Sequence, residues 1–288
     1  MKGRPHQTSV LHRRIDEVSI PSKDVSTDVS FHRRPLPEHL IAFDSDQGRE
    51  LFKSMLNEGG AKSYWSLAGQ FLSQQSPSLC ALASLVMCLN ALKIDPKRIW
   101  QGVWRWWDEK MLGHPTETNA CRPDETKSCG CAPFEKAATV GVTLEELLSY
   151  AKCNRVEAKG YFASDTVGER IRSEVGVETR DIDHFRDVLR RTQLETTEEG
   201  DQKKQELLIV SFSRPALGQT GDGHFSPIGG YCPSKDAVLV MDVARFKYPS
   251  YFVPVEDLWR AMRYVDIETL KPRGYVVVSG ETAVASGS

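Results

Sequence analysis

Apolar residues after Cys80 recur at intervals of three and four positions, at Leu82, Leu85, Val86, Leu89 and Leu92. This spacing predicts an α-helix with one buried face. Ser76, Pro77 and Ser78 come just before it, and serine and proline are favoured where helices begin. We therefore expect a buried helix whose first turn contains Cys80.

Helical periodicity recurs elsewhere in the first two thirds of the chain. We expect helices between Gly48 and about Asn90, and another over Trp100–Leu112 with most of its tryptophans in the core. Leu144, Leu147, Leu148 and Ala151 share a face in a predicted helix over Thr143–Lys152, and Asp183–Arg191 is a further helix candidate. The polar segment Glu195–Lys204 reads most simply as a solvated loop.

From Glu206 onward the pattern changes to extended runs. ELLIVSFSR is apolar and β-branched, and HFSPIGGY and AVLVMDVA flank the turn CPSKD, which predicts a β-hairpin. If the hairpin closes near Pro233, position 224 lies opposite position 242. The fold class is therefore α+β, with a helical N-terminal lobe that carries Cys80 and a sheet-rich C-terminal lobe that carries His224.

Composition narrows the class of protein. The chain has 288 residues, 40% hydrophobic and 26% charged, with a net charge of −2. This composition is ordinary for a soluble protein and gives no reason to expect binding to nucleic acid or to a membrane surface. We find no apolar run of 18 residues and no secretory leader pattern. We expect a disordered extension over 1–30, a folded domain over 31–280 and a flexible tail over 281–288.

The chain has seven cysteines without regular spacing. An odd number favours reduced thiols in the cytoplasm over a disulfide framework. Cys121, Cys129 and Cys131 lie close together and could bind Zn²⁺ or Cd²⁺, with His114 as the nearby candidate for a fourth ligand. We favour a flexible thiol-bearing loop over a metal site there.

Four residues form a candidate catalytic set in chain order: Gln74, Cys80, His224 and Asp242. A cysteine followed 144 residues later by a histidine, and 18 residues after that by a carboxylate, is the order of papain-type cysteine enzymes. One cysteine in an apolar helix is usually an inert core residue. The ordered set favours covalent acyl transfer, for which the triad requires no cofactor.

Each member of the set has a predicted role. The helix dipole and a neighbouring imidazolium would lower the pKa of the Cys80 thiol. Asp242 would orient His224, and Gln74 would donate an amide hydrogen bond to the oxyanion. Gly221 and Gly223 would leave room for a substrate backbone beside His224.

Long segments of the chain resemble the catalytic domain of phytochelatin synthases, over roughly Phe31 to Ser279. They are FHRRPLPEHLIAFDSDQGRELF, QQSPSLCALASLVMCLNALKIDPKRIWQGVWRWWDEKML, GQTGDGHFSPIGGY, DVARFKYPSYFVPVEDLWRAM and KPRGY.

The resemblance implies a papain-like fold and a reaction on glutathione. Such enzymes release glycine, hold γ-Glu-Cys as a thioester on the residue matching Cys80, and pass it to a second glutathione or to a phytochelatin. It also implies that Asp266 and Arg273 hold the amino and carboxylate groups of the γ-glutamyl unit, and that Gly223 contacts the acyl unit through its backbone. Arginine suits that carboxylate because its guanidinium forms two parallel hydrogen bonds.

The implied partners are glutathione, phytochelatins and heavy-metal ions. Cd²⁺ or Zn²⁺ would activate mainly as part of a metal–glutathione thiolate substrate. The chain ends at Ser288, so we expect it to lack the Cys-rich C-terminal domain of eukaryotic members; short relatives without that domain mainly hydrolyse glutathione.

Two alternatives therefore remain at this point. One is a hydrolase of glutathione or its conjugates, and the other is a non-catalytic, thiol-rich metal-binding protein. The oligomeric state is open, with a homodimer as the candidate assembly.

Overall fold

An eight-stranded mixed sheet organises the part of the chain that the computed structural model describes, which is residues 31–112, 133–166, 168–195 and 204–280. The strands are β1 Ile41–Ala42, β2 Glu157–Ala163, β3 Glu178–Arg180, β4 Glu206–Ser213, β5 Gly223–Cys232, β6 Ala237–Val240, β7 Tyr251–Pro254 and β8 Gly274–Ser279. Their order across the sheet is β1-β7-β6-β5-β4-β8-β2-β3, with β2 and β3 parallel and the other neighbours antiparallel.

The helices are α1 Asp46–Asn57, α2 Lys62–Ala68, α3 Cys80–Ala91, α4 Glu109–Leu112, α5 Phe134–Val140, α6 Leu144–Cys153, α7 Ile182–Gln193 and α8 Val255–Arg263. The predicted helices over Thr143–Lys152 and Asp183–Arg191 are confirmed as α6 and α7. Thr143 begins α6 with a capping box, in which its side chain and that of Glu146 bond each other's backbone N–H. The α8 helix was not predicted.

Both faces of the sheet are covered. In β4, Leu207 and Ile209 pack with α3 and α6, whereas Leu208, Val210 and Phe212 pack with α7 and α8 on the other face. This is the alternation that a strand buried on both sides requires. The expected α+β class is confirmed, with most helices early in the chain and most strands late.

The α3 helix begins at Cys80, as predicted, but all twelve of its residues are buried. The sequence pattern predicted one buried face. Burial on every side follows from its position, because α3 lies between the sheet and the segments around α4 and α6. Its N-cap residue is Leu79, which makes no capping hydrogen bond through its side chain.

The prediction of a helix over Trp100–Leu112 is wrong for most of that segment, since α4 begins only at Glu109. Gly102 has a φ of +56°, and Gln101 and Trp104 form a β-bridge around it, which interrupts a helix. Core placement is also wrong for most of these tryptophans: Trp107 is 3% exposed, but Trp104 is 71% exposed.

The predicted hairpin of β5 and β6 is confirmed, and it closes through a short 3₁₀ turn at Pro233–Lys235. Its register differs from the expectation. Ile228 pairs with Val240 beyond a β-bulge, so continuing the ladder places Asp242 opposite Ser226, not His224.

Several predictions fall outside the described residues, namely the extension 1–30, the tail 281–288, most of the loop 195–204, and the thiols of Cys121, Cys129 and Cys131. Cys80, Cys88 and Cys232 are free and buried. Cys153 is disulfide-bonded, so the expectation of reduced thiols throughout is wrong for that residue.

Candidate active site

His224 and Asp242 form a buried pair beside the N-terminus of α3. Nε2 of His224 and Oδ1 of Asp242 are 2.9 Å apart, and the two side chains are 4% and 0% exposed. The hydroxyl of Ser226 lies 3.0 Å from the same Nε2. The structure therefore brings the predicted histidine and carboxylate together, although Asp242 reaches His224 diagonally across the hairpin.

Arg214, which the sequence analysis did not identify, completes this network. Nη2 of Arg214 donates to both carboxylate oxygens of Asp242, at 3.0 and 2.9 Å, and Nη1 donates to Oε1 of Gln219 at 2.5 Å. The backbone N–H of Ala244 also donates to Oδ1 of Asp242, at 2.9 Å. Each Asp242 oxygen thus has a donor, which is what a buried carboxylate requires.

The charges of this network set the protonation states. Burial and the neighbouring Arg214 cation lower the pKa of His224 to about 4, so its imidazole is neutral at pH 7. Burial alone would raise the pKa of Asp242, but the charges of His224 and Arg214 hold it below its ordinary value. Because His224 is neutral at pH 7, Arg214 is the cation that keeps Asp242 ionised there.

Cys80 is the first residue of α3 and is 8% exposed. Its sulfur accepts a hydrogen bond from the backbone N–H of Phe225, the residue after His224. Burial raises the pKa of the Cys80 thiol, although the Phe225 N–H and the Arg214 charge oppose this. The expectation of a lowered pKa for the Cys80 thiol is therefore wrong, because burial outweighs the effects that favour the thiolate.

Gln74 lies on the loop before α3 and is 5% exposed. Its Nε2 donates to the backbone oxygen of Ser76 at 2.7 Å, and its own backbone N–H donates to Val243 at 2.9 Å. Its Oε1 is buried and has no hydrogen-bond partner among the described residues. Ser76 takes one of the two hydrogens of the Gln74 amide, which leaves the other able to donate.

A cleft of about 410 Å³ opens at Cys80, within the range of about 300–1,000 Å³ for small-molecule sites. Its lining includes Cys80, Gly223, Phe225, Asp266 and Arg273. The backbone of Gly223 and the pair Asp266–Arg273, which only the resemblance had singled out, therefore face the same space as the nucleophile.

Arg273 is 6% exposed and pairs with Asp266, with Nη1 and Oδ2 2.6 Å apart. A weaker contact of 3.5 Å joins Nη2 to the exposed carboxylate of Asp222. Nε of Arg273 is buried with no hydrogen-bond partner in the described part of the chain. The cleft thus presents a cation and carboxylates side by side.

Gly223 is needed for this arrangement. A Cβ added at Gly223 would collide with the guanidinium of Arg273, so only glycine allows that approach. The predicted space at this glycine is therefore filled by Arg273. Gly221 has a φ of +109°, which favours glycine on backbone grounds.

Two residues of the site, Arg214 and Ser226, escaped the sequence analysis. Ser226 carried a usable signal, because it lies two positions after His224 in a strand and so shares its face. Arg214 had no local signal, since its contact with Asp242 depends on how β4 and β6 flank β5.

Within the described ranges, no cluster of three or more histidine, cysteine or acidic side chains is arranged to hold a metal ion. Nor does any described helix combine the length and the apolar character needed to span a membrane.

Comparison with known proteins gives one matching family and several curated relatives. The sequence model of the family described as phytochelatin synthase matches residues 31–275. A glutathione gamma-glutamylcysteinyltransferase of Schizosaccharomyces pombe is 38% identical over 250 residues, which cover 86% of this chain and 51% of that protein. Glutathione gamma-glutamylcysteinyltransferase 1 of Lotus japonicus is 38% identical, over 86% of this chain and 42% of that protein. The protein of the same name in Arabidopsis thaliana is 35% identical, over 87% of this chain and 44% of that protein. The chain thus spans about half the length of these curated relatives.

Proposed function

Because the chain belongs to the phytochelatin synthase family, we propose that it transfers γ-Glu-Cys from glutathione to a second glutathione through a thioester on Cys80. A phytochelatin, (γ-Glu-Cys)n-Gly, serves as the acceptor in later rounds. The observation that carries this proposal is the buried His224–Asp242 pair beside Cys80, at a cleft that also contains Asp266 and Arg273. In the papain-like arrangement of the family, His224 is the base, Asp242 orients it and Cys80 is the nucleophile. Asp266 and Arg273 bind the substrate.

In the first step, the Cys80 sulfur attacks the carbonyl carbon of the Cys–Gly peptide bond. The thiol is protonated at rest, so it passes its proton to neutral His224 as the S–C bond forms. Gln74 and the backbone N–H of Cys80 stabilise the oxyanion. His224 then gives the proton to the departing amine as the C–N bond breaks and glycine leaves.

In the second step, the amine of another glutathione attacks the thioester carbonyl. His224 takes a proton from that amine, the C–S bond breaks, and the proton returns to the Cys80 sulfur. Asp242 stabilises the imidazolium formed in each step, and Arg214 holds Asp242 in place for it.

The γ-glutamyl end of the substrate is a zwitterion, which suits the charged wall of the cleft. Its carboxylate would bind the Arg273 guanidinium, whose Nε–H still has a hydrogen to donate, and its ammonium would bind Asp266. The backbone of Gly223 lies against the same Arg273 guanidinium.

Heavy-metal ions enter this proposal as part of the substrate. Cd²⁺ or Zn²⁺ bound to the thiol of the acceptor glutathione blocks its sulfur, while the catalytic residues themselves supply base, nucleophile and oxyanion donors. We place the reaction in the cytoplasm, where glutathione is abundant. A homodimer stays a prediction, which analytical ultracentrifugation measures directly.

Mass spectrometry of the products formed from glutathione, with and without Cd²⁺, tests the proposal. We expect glycine and (γ-Glu-Cys)n-Gly oligomers, with none from Cys80→Ser. Glycine and γ-Glu-Cys alone would instead make the protein a glutathione hydrolase. Metal binding without turnover would make it a non-catalytic metal-binding protein.

A further inference from the structure

Glu109 is a buried carboxyl group to which the proposed reaction assigns no role. It is the first residue of α4 and is 3% exposed. Its Oε1 accepts a hydrogen bond from the backbone N–H of Gln75 at 3.2 Å. Burying a carboxyl group costs free energy unless it is hydrogen-bonded, so the contact with Gln75 stabilises Glu109 in this position.

The contact lies directly beside the oxyanion donor. The amide that Glu109 binds belongs to the peptide joining Gln74 to Gln75. On its other side, the backbone N–H of Gln74 donates to Val243, the residue after Asp242. Two adjacent residues of the loop are therefore fixed, Gln74 to the segment after Asp242 and Gln75 to α4.

Helix capping does not account for Glu109. Asp108 caps α4, because its Oδ1 accepts from the backbone N–H of Met111 at 2.9 Å, and its Oδ2 accepts from Nε1 of Trp100 at 2.8 Å. Burial raises the pKa of Glu109, although the backbone N–H groups of Gln75 and of Glu109 itself oppose this. A glutamine at position 109 would therefore resemble the protonated residue in both shape and charge.

We propose that Glu109 is a positioning residue that fixes the Gln74–Gln75 peptide, so that the Gln74 amide faces the oxyanion formed when Cys80 attacks. This rests on the proposed function, because an acyl-transfer step is what gives Gln74 an oxyanion to meet. Glu109 itself does not contact the substrate.

A double-mutant cycle tests this role. Glu109→Ala should lower kcat for glycine release by about ten- to a hundredfold with little change in KM, a part of the 10²–10³-fold that loss of an oxyanion donor costs. In a Gln74→Ala background the same change should cost roughly threefold or less, because coupled residues are not additive. Glu109→Gln, which keeps an acceptor for Gln75, should restore kcat to within about threefold of the parent.

Asp108→Ala is the matched control, since it weakens α4 without touching Gln75. We expect its smaller effect on kcat to be the same in both Gln74 backgrounds. Additive losses for Glu109→Ala and Gln74→Ala, or a Glu109→Gln enzyme as slow as Glu109→Ala, would overturn the proposal.

Amide hydrogen exchange at Gln75 separates this proposal from the proposed function. Protection should persist in the parent protein and in Glu109→Gln and fall in Glu109→Ala, whether or not glutathione turns over. If the parent protein releases no glycine, the proposed function fails, and unchanged exchange in Glu109→Ala would then also overturn the role of Glu109.

Discussion

Arg214 and Asp242 form a buried ion pair in which one guanidinium nitrogen donates to both carboxylate oxygens, at 3.0 and 2.9 Å. The arginine is 3% exposed and the aspartate is fully buried. Oδ1 of the same carboxylate lies 2.9 Å from Nε2 of His224, so the group proposed to orient this histidine is itself held by a cation. In the proposed reaction, the reactivity of His224 therefore depends on Arg214, which lies directly after β4 and outside the β5–β6 hairpin.

Replacing Arg214 should change the pH dependence of the reaction. Because burial and the Arg214 charge lower the pKa of His224 to about 4, the acid limb of kcat/KM should lie below the ordinary histidine value of about 6.5. Arg214→Met removes the cation and should move that limb to higher pH, while Arg214→Lys, which keeps the charge, should leave it low. NMR titration of the His224 ring checks the assignment, and an unchanged limb in Arg214→Met would remove Arg214 from this role.

Asp242→Asn should leave the protein folded but slow. The asparagine can no longer stabilise the imidazolium form of His224, and the same change in serine protease triads costs up to about 10⁴-fold in kcat. Single-turnover formation of the acyl-enzyme measures the effect directly. Ser226→Ala is the comparison, because it removes a neutral contact to the same Nε2 and should cost much less. A folded Asp242→Asn enzyme with a normal rate would leave Asp242 a structural role only.

The sequence predicted the elements that carry the site better than the contacts within it. The start of α3 at Cys80 and the β5–β6 hairpin followed from periodicity and turn residues, because those signals are local. The contact between Arg214 and Asp242 could not be predicted in this way, because it depends on the order of the strands in the sheet and on a β-bulge that shifts their register. The raised pKa of the Cys80 thiol also escaped prediction, because α3 is buried on every side and this burial outweighs the Phe225 N–H and the Arg214 charge.

Cys80→Ser should abolish thioester formation and turnover. The serine hydroxyl is far less acidic and less nucleophilic than the thiol, and neutral His224 cannot make up the difference. Intact-mass spectrometry after mixing with glutathione detects the acyl-enzyme. Cys88→Ser, two turns further along α3, is the matched control and should keep most of the activity, as should Cys232→Ser and Cys153→Ser. More than a few per cent of activity in Cys80→Ser would contradict the nucleophile assignment.

Arg273→Lys should raise the KM for glutathione by about tenfold or more, because hydrogen bonds to charged groups contribute about 1.5–3 kcal/mol and lysine cannot form the bidentate pair. Steady-state kinetics separates KM from kcat, and thermal unfolding checks the fold. The nearby control is Arg263→Lys, since Arg263 pairs with Asp165 away from the cleft. If Arg273→Lys lowers thermal stability while KM holds, the arginine supports the sheet and does not bind the γ-glutamyl carboxylate.

Metal activation can be traced either to the substrate or to a site on the protein. The first hypothesis predicts that metal-free protein forms the Cys80 acyl-enzyme with glutathione alone, and that Cd²⁺ accelerates the transfer to the second glutathione. The competing hypothesis is a sensing site at Cys121, Cys129 and Cys131, which lie outside the described residues. Replacing these three with serine separates the two, with acyl-enzyme formation and oligomer synthesis measured in parallel. Preserved activation by Cd²⁺ supports metal as part of the substrate, whereas lost activation with normal acylation would establish a sensing site.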